Sequence, residues 1–491
     1  MTGRQKLVSF TGLALIVAAV TAIGIGARAT YGAQTTADEP QYLLSALSLW
    51  EDGNLDISDE LYEERYREFH EVDLPQQTLP LDDERRVSPH DPLLPLLLAV
   101  PMGLGGWVAA KATLAVLGGI LAALAAWTMI TRFDVSPRVA LLAAGGFALA
   151  PPLAVYSTQV YPEIPAALAL LAGFAAVTGP FERRGRIVFV ISVVALPWLA
   201  VKFVPVAAVL ATAGLVRAGK GRRLPLLAAL VGAGAVYVLG HLAIYDGLTA
   251  YATGDHFVGG EFTAVGTAVN LWGRSTRLIG LIVDRGFGIG AWQPAYLLLP
   301  LAAAWCVTRR DSRLNIAVWI LGTGWLVATF AALTMHGWWF PGRQLVVVLP
   351  VGVTLAAAWI DQARPWQAIS VGVAGGLGVI AFLSLLVEGT RERLTWVVDF
   401  GTTANPFYRA LAGALPDYMT PTTTTWALHG FWVFVALTLM WIGWRTTTPN
   451  VPTHPVSDVT DPDGRDFQAA TKSRSAANSP TPTRLPPTET V

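Results

Sequence analysis

The stretch "VISVVALPWLAVKFVPVAAVLATAGLV", Val190 to Val216, is apolar throughout except for Lys202, which stands between Pro197 and Pro205. Read as one helix, it would bury an ammonium in hydrocarbon at a cost of about 3 kcal/mol or more. Two shorter helices that meet at the membrane surface remove that cost. They also set Lys202 at the turn between them, where it can bind a phosphate or simply snorkel to the interface.

The rest of the chain supports the two-helix reading. Of 491 residues, 53% are hydrophobic and 14% charged, with a mean hydropathy of +0.49. Soluble domains carry about 25% charged residues, so this composition is that of an integral membrane protein. A hydrocarbon core of about 30 Å needs roughly 20 apolar residues per helix, because lipid offers the backbone no hydrogen-bond partners. About twelve apolar runs lie between Leu7 and Trp444. The expected fold is an all-α, polytopic bundle of about twelve transmembrane helices over residues 1–444. A first extracytoplasmic loop over 28–106 is expected to carry amphipathic interfacial helices.

The basic residues orient the bundle. With Arg4 and Lys6 cytoplasmic, the alternate turns hold Arg132 with Arg138, "FERRGR" (Phe181 to Arg186), "RAGKGRR" (Arg217 to Arg223), "TRRDSR" (Thr308 to Arg313) and Arg364. This follows the positive-inside rule and places both termini inside. The opposite side is acidic: sixteen Asp and Glu against five Arg lie between Arg28 and Pro92. A cleaved signal peptide is the competing reading of residues 1–33, with "ARATYGA" as the cleavage region. Its loss would leave an odd number of spans and unmatched basic loops. Cys306 stands alone, so no disulfide or cysteine metal site is expected. Residues 445–491, rich in Pro, Thr, Ser and Asp, read as a disordered cytoplasmic tail.

Within the acidic loop, Pro40 suits the first turn of a helix, and Leu43, Ala46, Leu47 and Trp50 recur at helical spacing. Pro40 to Glu51 is therefore expected as an amphipathic helix along the outer membrane surface, with Asp38 and Glu39 at its start. One acid suffices as a cap; the second invites a chemical role. A sugar on a polyprenyl phosphate already has a good leaving group. Its transfer needs one carboxylate to take the acceptor proton and cations to hold the phosphate.

Other groups fall on the same side. Glu163 follows Pro162 at the start of a span, and His90 and Asp91 lie between Pro89 and Pro92, ahead of a short apolar segment that dips into or lies on the outer leaflet. Each can contact a sugar, a phosphate or a metal, or serve only as a helix-start acid or polar turn. His336 and Arg343 flank "GWWFPG", whose Trp338, Trp339 and Phe340 suit the interfacial belt. The fork of Arg343 suits a phosphate or a lipid headgroup. The Asp284–Arg285 pair is as easily structural, and the Gly-rich loop Tyr251 to Phe262 is a flexible acceptor-side lid or nothing. Asp38, Glu39, His90, Asp91 and Glu163 could together hold a divalent cation, although no compact ligand motif is present.

The acidic pair in "ADEPQYLLSALSLWEDGNLDI", with "SPHDPLLPLLLAVPMGLGG" (Ser88 to Gly106), "STQVYPEIPAALALL" (Ser157 to Leu171) and "HGWWFPGRQLVVVLPV" (His336 to Val351), resembles the polytopic GT-C glycosyltransferases, in particular their protein O-mannosyltransferase and aminoarabinose transferase branch. The resemblance spans residues 7–444. It implies a plasma-membrane enzyme with an extracytoplasmic active site and a polyprenyl-phosphate sugar as co-substrate, acting in cell-envelope glycan or glycoconjugate assembly. It further implies Asp38 as catalytic base with Glu39 beside it. Lys202, Arg343 and His336 are then candidates for the donor phosphate, and His90, Asp91 and Glu163 for the substrate. The acceptor is a glycan, a lipid or a protein; nucleic acid is not expected as a partner. This chain departs from the family in having no sizeable soluble C-terminal domain. The alternatives are a secondary transporter, against which the lack of midplane charge and of a repeated half argue, and a lipid-linked glycan polymerase or ligase.

Overall fold

The computed structural model describes residues 3–254 and 270–446 of the chain. Among the described residues the secondary structure is helical, with isolated β-bridges and no strand. The tail from residue 447 on, and residues 255–262 of the Gly-rich loop, lie outside them.

Prolines punctuate the helices. Pro40, Pro137, Pro205, Pro300, Pro350 and Pro365 each stand in a first turn, where the missing N–H costs nothing and the fixed φ is already helical. In chain order the principal helices are α1 (Gly3–Ala22), α2 (Glu39–Glu51), α3 (Ser58–Tyr62), α4 (Leu93–Arg132), α5 (Pro137–Ala148), α6 (Glu163–Val177), α7 (Arg183–Leu199), α8 (Val204–Arg217) and α9 (Lys220–Tyr245). They continue with α10 (Leu299–Thr308), α11 (Ser312–Leu326), α12 (Leu349–Gln362), α13 (Pro365–Thr390) and α14 (Thr423–Arg445). Among the described residues, six segments are long and apolar enough to cross a bilayer: those containing α1, α4, α9, α11, α13 and α14. Shorter apolar helices such as α5 and α6 pack among them, and the chain is a multi-pass membrane protein.

The Val190–Val216 stretch divides as its prolines require. α7 ends at Leu199, a single turn over Val201–Phe203 carries Lys202, and α8 starts at Val204. α6, α7 and α8 pack against one another.

Within α4 the apolar segment Leu93 to Val100 belongs to a first, short helix, separated from the one that runs on to Arg132 by a kink where Gly105 and Gly106 leave helical geometry. Two expectations are corrected. Pro40 to Glu51 is helical but does not lie along a membrane surface: every residue from Glu39 to Ser48 is buried. α2 packs on α4 so closely that a Cβ on Gly103 would fall 2.1 Å from the Trp50 ring. Its polar face is covered by the following loop, with Ser48 Oγ donating to the carbonyl of Asp56 at 2.6 Å. A period of 3.6 reports one apolar face, and protein can cover the polar face as readily as water. Finally, only Trp338 of the "WWF" triplet is exposed; Phe340 is fully buried against Trp292 and Phe400.

Candidate functional site

Four chain-distant segments meet at one end of the bundle. The α2 start supplies Asp38, the α6 start Glu163, the turn between α7 and α8 Lys202, and a single turn over Arg343–Leu345 supplies Arg343. Gly342 makes that last turn possible. Its φ is +85°, and a Cβ would lie 2.5 Å from Ile289, so the position needs both glycine's backbone and its missing side chain.

Arg343 is the hub. Its side chain is 8% exposed; Nη2 donates to Asp38 Oδ2 at 2.5 Å and Nε to Glu163 Oε1 at 3.1 Å. The guanidinium lies over the Tyr161 ring at 4.0 Å and 5.2 Å from the Trp339 ring centre. Lys202 Nζ donates to the same Glu163 oxygen at 2.7 Å. Glu163 thus holds both cations from behind, fully buried, while the Lys202 and Asp38 side chains keep 31% and 25% of their surface. Burial pushes the Asp38 carboxyl up, but the charges of Arg343, His90 and Lys202 outweigh it and leave the group at about 2. Asp38 is therefore a carboxylate at any physiological pH.

His90 joins this cluster and Asp91 braces it. The His90 ring stacks on Tyr42 with centroids 4.6 Å apart, and its Nε2 is buried without a protein hydrogen bond. Both Asp91 oxygens are taken by protein groups. Oδ1 accepts from Tyr237 Oη at 3.2 Å and sits 2.8 Å from His241 Nε2, and Oδ2 accepts from the Val201 N–H at 3.1 Å. Tyr245 Oη donates to the His90 carbonyl at 2.7 Å. Three side chains one turn apart on α9 therefore grip the His90–Asp91 dipeptide, and Asp91 in turn grips the residue next to Lys202. This makes Asp91 a positioning residue here, since its oxygens are already engaged. His241→Ala is expected to lower stability by about 2 kcal/mol, the cost of stranding a buried acceptor. An unchanged melting temperature would remove the brace from the site.

Glu39, the other half of the acidic pair, turns into the protein. It is fully buried, Oε1 accepts from the Thr36 N–H at 3.2 Å and Oε2 from the Val160 N–H at 2.7 Å, and it does not line the cavity described below. It ties the start of α2 to the loop before α6. Burial raises its carboxyl to about 7 against the pull of Lys111 and the two N–H bonds. A carboxyl that binds its proton more tightly when folded loses stability as pH rises from its unfolded value, near 4.5, to about 7. Thermal melts between pH 5 and 7 should therefore show stability falling with pH, and Glu39→Gln should flatten that slope; a parallel slope in the variant would contradict the assignment.

The remaining candidates are placed as follows. His336 Nε2 lies 3.6 Å from Asp284 Oδ2 and borders the same cavity. Asp284 accepts from the N–H groups of Gly286, Phe287 and Tyr418, and Arg285 donates to the carbonyls of Ala412 and Leu415, so that pair is structural. Among the described residues, Asp38, Glu39, His90, Asp91 and Glu163 do not bring three ligand atoms together as a metal site would. Sequence reading missed Tyr42, Tyr161, Lys111 and His241. Tyr237, His241 and Tyr245 recur every four residues on an otherwise apolar helix, a stripe readable in the sequence. Lys111, whose Nζ donates to the Gln34 carbonyl at 2.6 Å, was visible as a charge inside an apolar run.

The cluster around Arg343 borders a cavity of about 1560 Å³. Asp38, His90, Lys202 and Arg343 form its charged wall; Val206 of α8, Gly324 of α11, Val327 and Ala328 of the turn that follows α11, and Val347 and Val348 of the segment before α12 form an apolar wall. A single site therefore offers cations beside an anion and a greasy channel.

The bundle shares its fold with solved structures of ArnT. The chain superposes on ArnT from Cupriavidus metallidurans bound to undecaprenyl phosphate with a TM-score of 0.51 and 14% identity, over 90% of this chain and 76% of that one. For the same protein in the apo state the TM-score is 0.50 and the identity 15%, over 89% and 75%. No family model matches the sequence, and no curated protein matches it either.

Proposed function

We propose that the chain is a membrane glycosyltransferase that moves a sugar from a polyprenyl-phosphate donor to an acceptor hydroxyl on the extracytoplasmic face of the plasma membrane. The carrying observation is the union in one cavity of a charged wall, Asp38, Lys202 and Arg343, with an apolar wall of the kind a polyprenyl tail requires. The shared fold with an ArnT bound to undecaprenyl phosphate supports the choice of donor.

Asp38 takes the acceptor proton as the hydroxyl oxygen bonds to the sugar's anomeric carbon, and the bond from that carbon to the phosphate oxygen breaks. The phosphate leaves with the electron pair and is held by Lys202 and Arg343 through charge-assisted hydrogen bonds. The leaving group is a weak base, so no general acid is required on its side. Because Arg343 already pairs with Asp38 and Glu163, the half-exposed Lys202 is the first cation a phosphate meets.

The test is transfer by the purified protein from a panel of radiolabelled polyprenyl-phosphate sugars. Label should leave the donor and release free polyprenyl phosphate, and added undecaprenyl phosphate should compete. Uptake of free solutes into proteoliposomes without any donor consumption would instead identify a carrier.

A further inference from the structure

At the far end of α2 from Asp38, the chain reads "EDGNLDISDELYEE", Glu51 to Glu64, and the fold gathers three of these acids. Asp52 ends α2, Asp59 and Glu60 lie on α3, and one carboxylate oxygen from each falls within 4.8 Å of the others. Acids on a loop are common, but Glu60 is not an ordinary surface acid. It is 2% exposed, and both of its oxygens are buried without a hydrogen-bond partner. Among the described residues, no Lys or Arg pairs with Asp52, Asp59 or Glu60; nearby Arg65 is engaged by Glu51 and Glu63 instead.

A buried carboxylate with neither cation nor donor is among the costliest groups a fold can hold. We propose that Asp52, Asp59 and Glu60 bind a divalent cation, Ca²⁺ by preference. Asp52 and Asp59 are exposed, so water can complete a shell of six to eight oxygens, and carboxylates carried on a helix end and a short helix suit the larger, geometrically more tolerant ion. The ion clips the C-terminal end of α2 to α3 and so fixes the helix whose first turn sets Asp38. It lies apart from the Arg343 cluster, and the proposal does not depend on the transferase reading.

The test uses the full-length protein in detergent, with CaCl₂ as the probe. Equilibrium binding of radioactive Ca²⁺ should show one site with a dissociation constant of about 1 mM or tighter, the range of extracytoplasmic modules. The melting temperature should rise when chelator is replaced by Ca²⁺, less so with Mg²⁺, as expected for a ligand that binds only the folded state. In Glu60→Gln and in the Asp52→Asn, Asp59→Asn double variant, binding should weaken by at least about tenfold, the equivalent of 1.4 kcal/mol, and the Ca²⁺-dependent shift should vanish. Should Glu60→Gln fail to fold, the double variant at two exposed positions carries the test alone. A wild-type protein that binds no Ca²⁺, or variants that bind it equally well, would overturn the site.

Discussion

Arg343→Met is expected to abolish sugar transfer and to lower stability by about 3–5 kcal/mol, the cost of removing one partner from a buried charge pair. The guanidinium is the only listener Asp38 Oδ2 has in the described structure, and it shares Glu163 Oε1 with Lys202. Removing it leaves two carboxylates in one buried corner, one with a single cation and one with none. Arg343→Lys should not rescue. An ammonium is a compact point charge that cannot reach Asp38 and Glu163 at once from a planar fork, and it loses the stacking over Tyr161. The two losses can be separated by adding Glu163→Gln to Arg343→Met. One buried negative charge then goes with the positive one, so the melting temperature should partly recover while transfer stays down by at least about 10²-fold, the usual loss when a donor to developing charge is removed. Recovery of transfer along with stability would mean that Arg343 is a structural group only.

This cluster was partly legible in the sequence because its members break local rules. Lys202 interrupts an apolar run, Glu163 begins a span, and Arg343 follows a Pro-Gly turn beside aromatics; each is costly in a membrane unless it has a partner. What the sequence does not carry is which acid faces which way. Asp38 and Glu39 are neighbours in the chain, but the side chains of adjacent helical residues point about 100° apart, so one reaches Arg343 and the other turns to the N–H of Val160. Asp91 shows the same limit: both it and His90 border the cavity, but the Asp91 carboxylate is claimed by His241 of α9, about 150 residues further along the chain. The burial of α2 was equally hidden, because its amphipathic period is satisfied by a loop in place of solvent. The fold class, by contrast, follows from hydropathy and charge placement alone, since lipid leaves the backbone few choices.

Asp38→Asn is expected to lower kcat by about 10²–10⁴-fold, the contribution of a positioned general base, with little change in donor Km. Asparagine keeps the size of the side chain and can accept from Arg343, so the fold and the phosphate site should survive while proton acceptance is lost. The pH profile distinguishes the two acids of the pair. In the free protein Asp38 is held at about 2 by Arg343, so as the base it stays ionised and kcat/Km should not fall on the acid side between pH 7 and 5. Glu39, raised to about 7, would as the base give a rate that drops about tenfold per pH unit below that value. A base held so low is also a weak one, and its pairing supplies the remedy: when donor phosphate engages Arg343, it draws the guanidinium from Asp38 and makes the carboxylate more basic at the moment the acceptor must be deprotonated. Binding of donor should thus precede productive acceptor binding, and initial-rate kinetics should show an ordered pattern. Full activity in Asp38→Asn, or an acid limb centred near 7 that Glu39→Gln abolishes, would transfer the base role to Glu39.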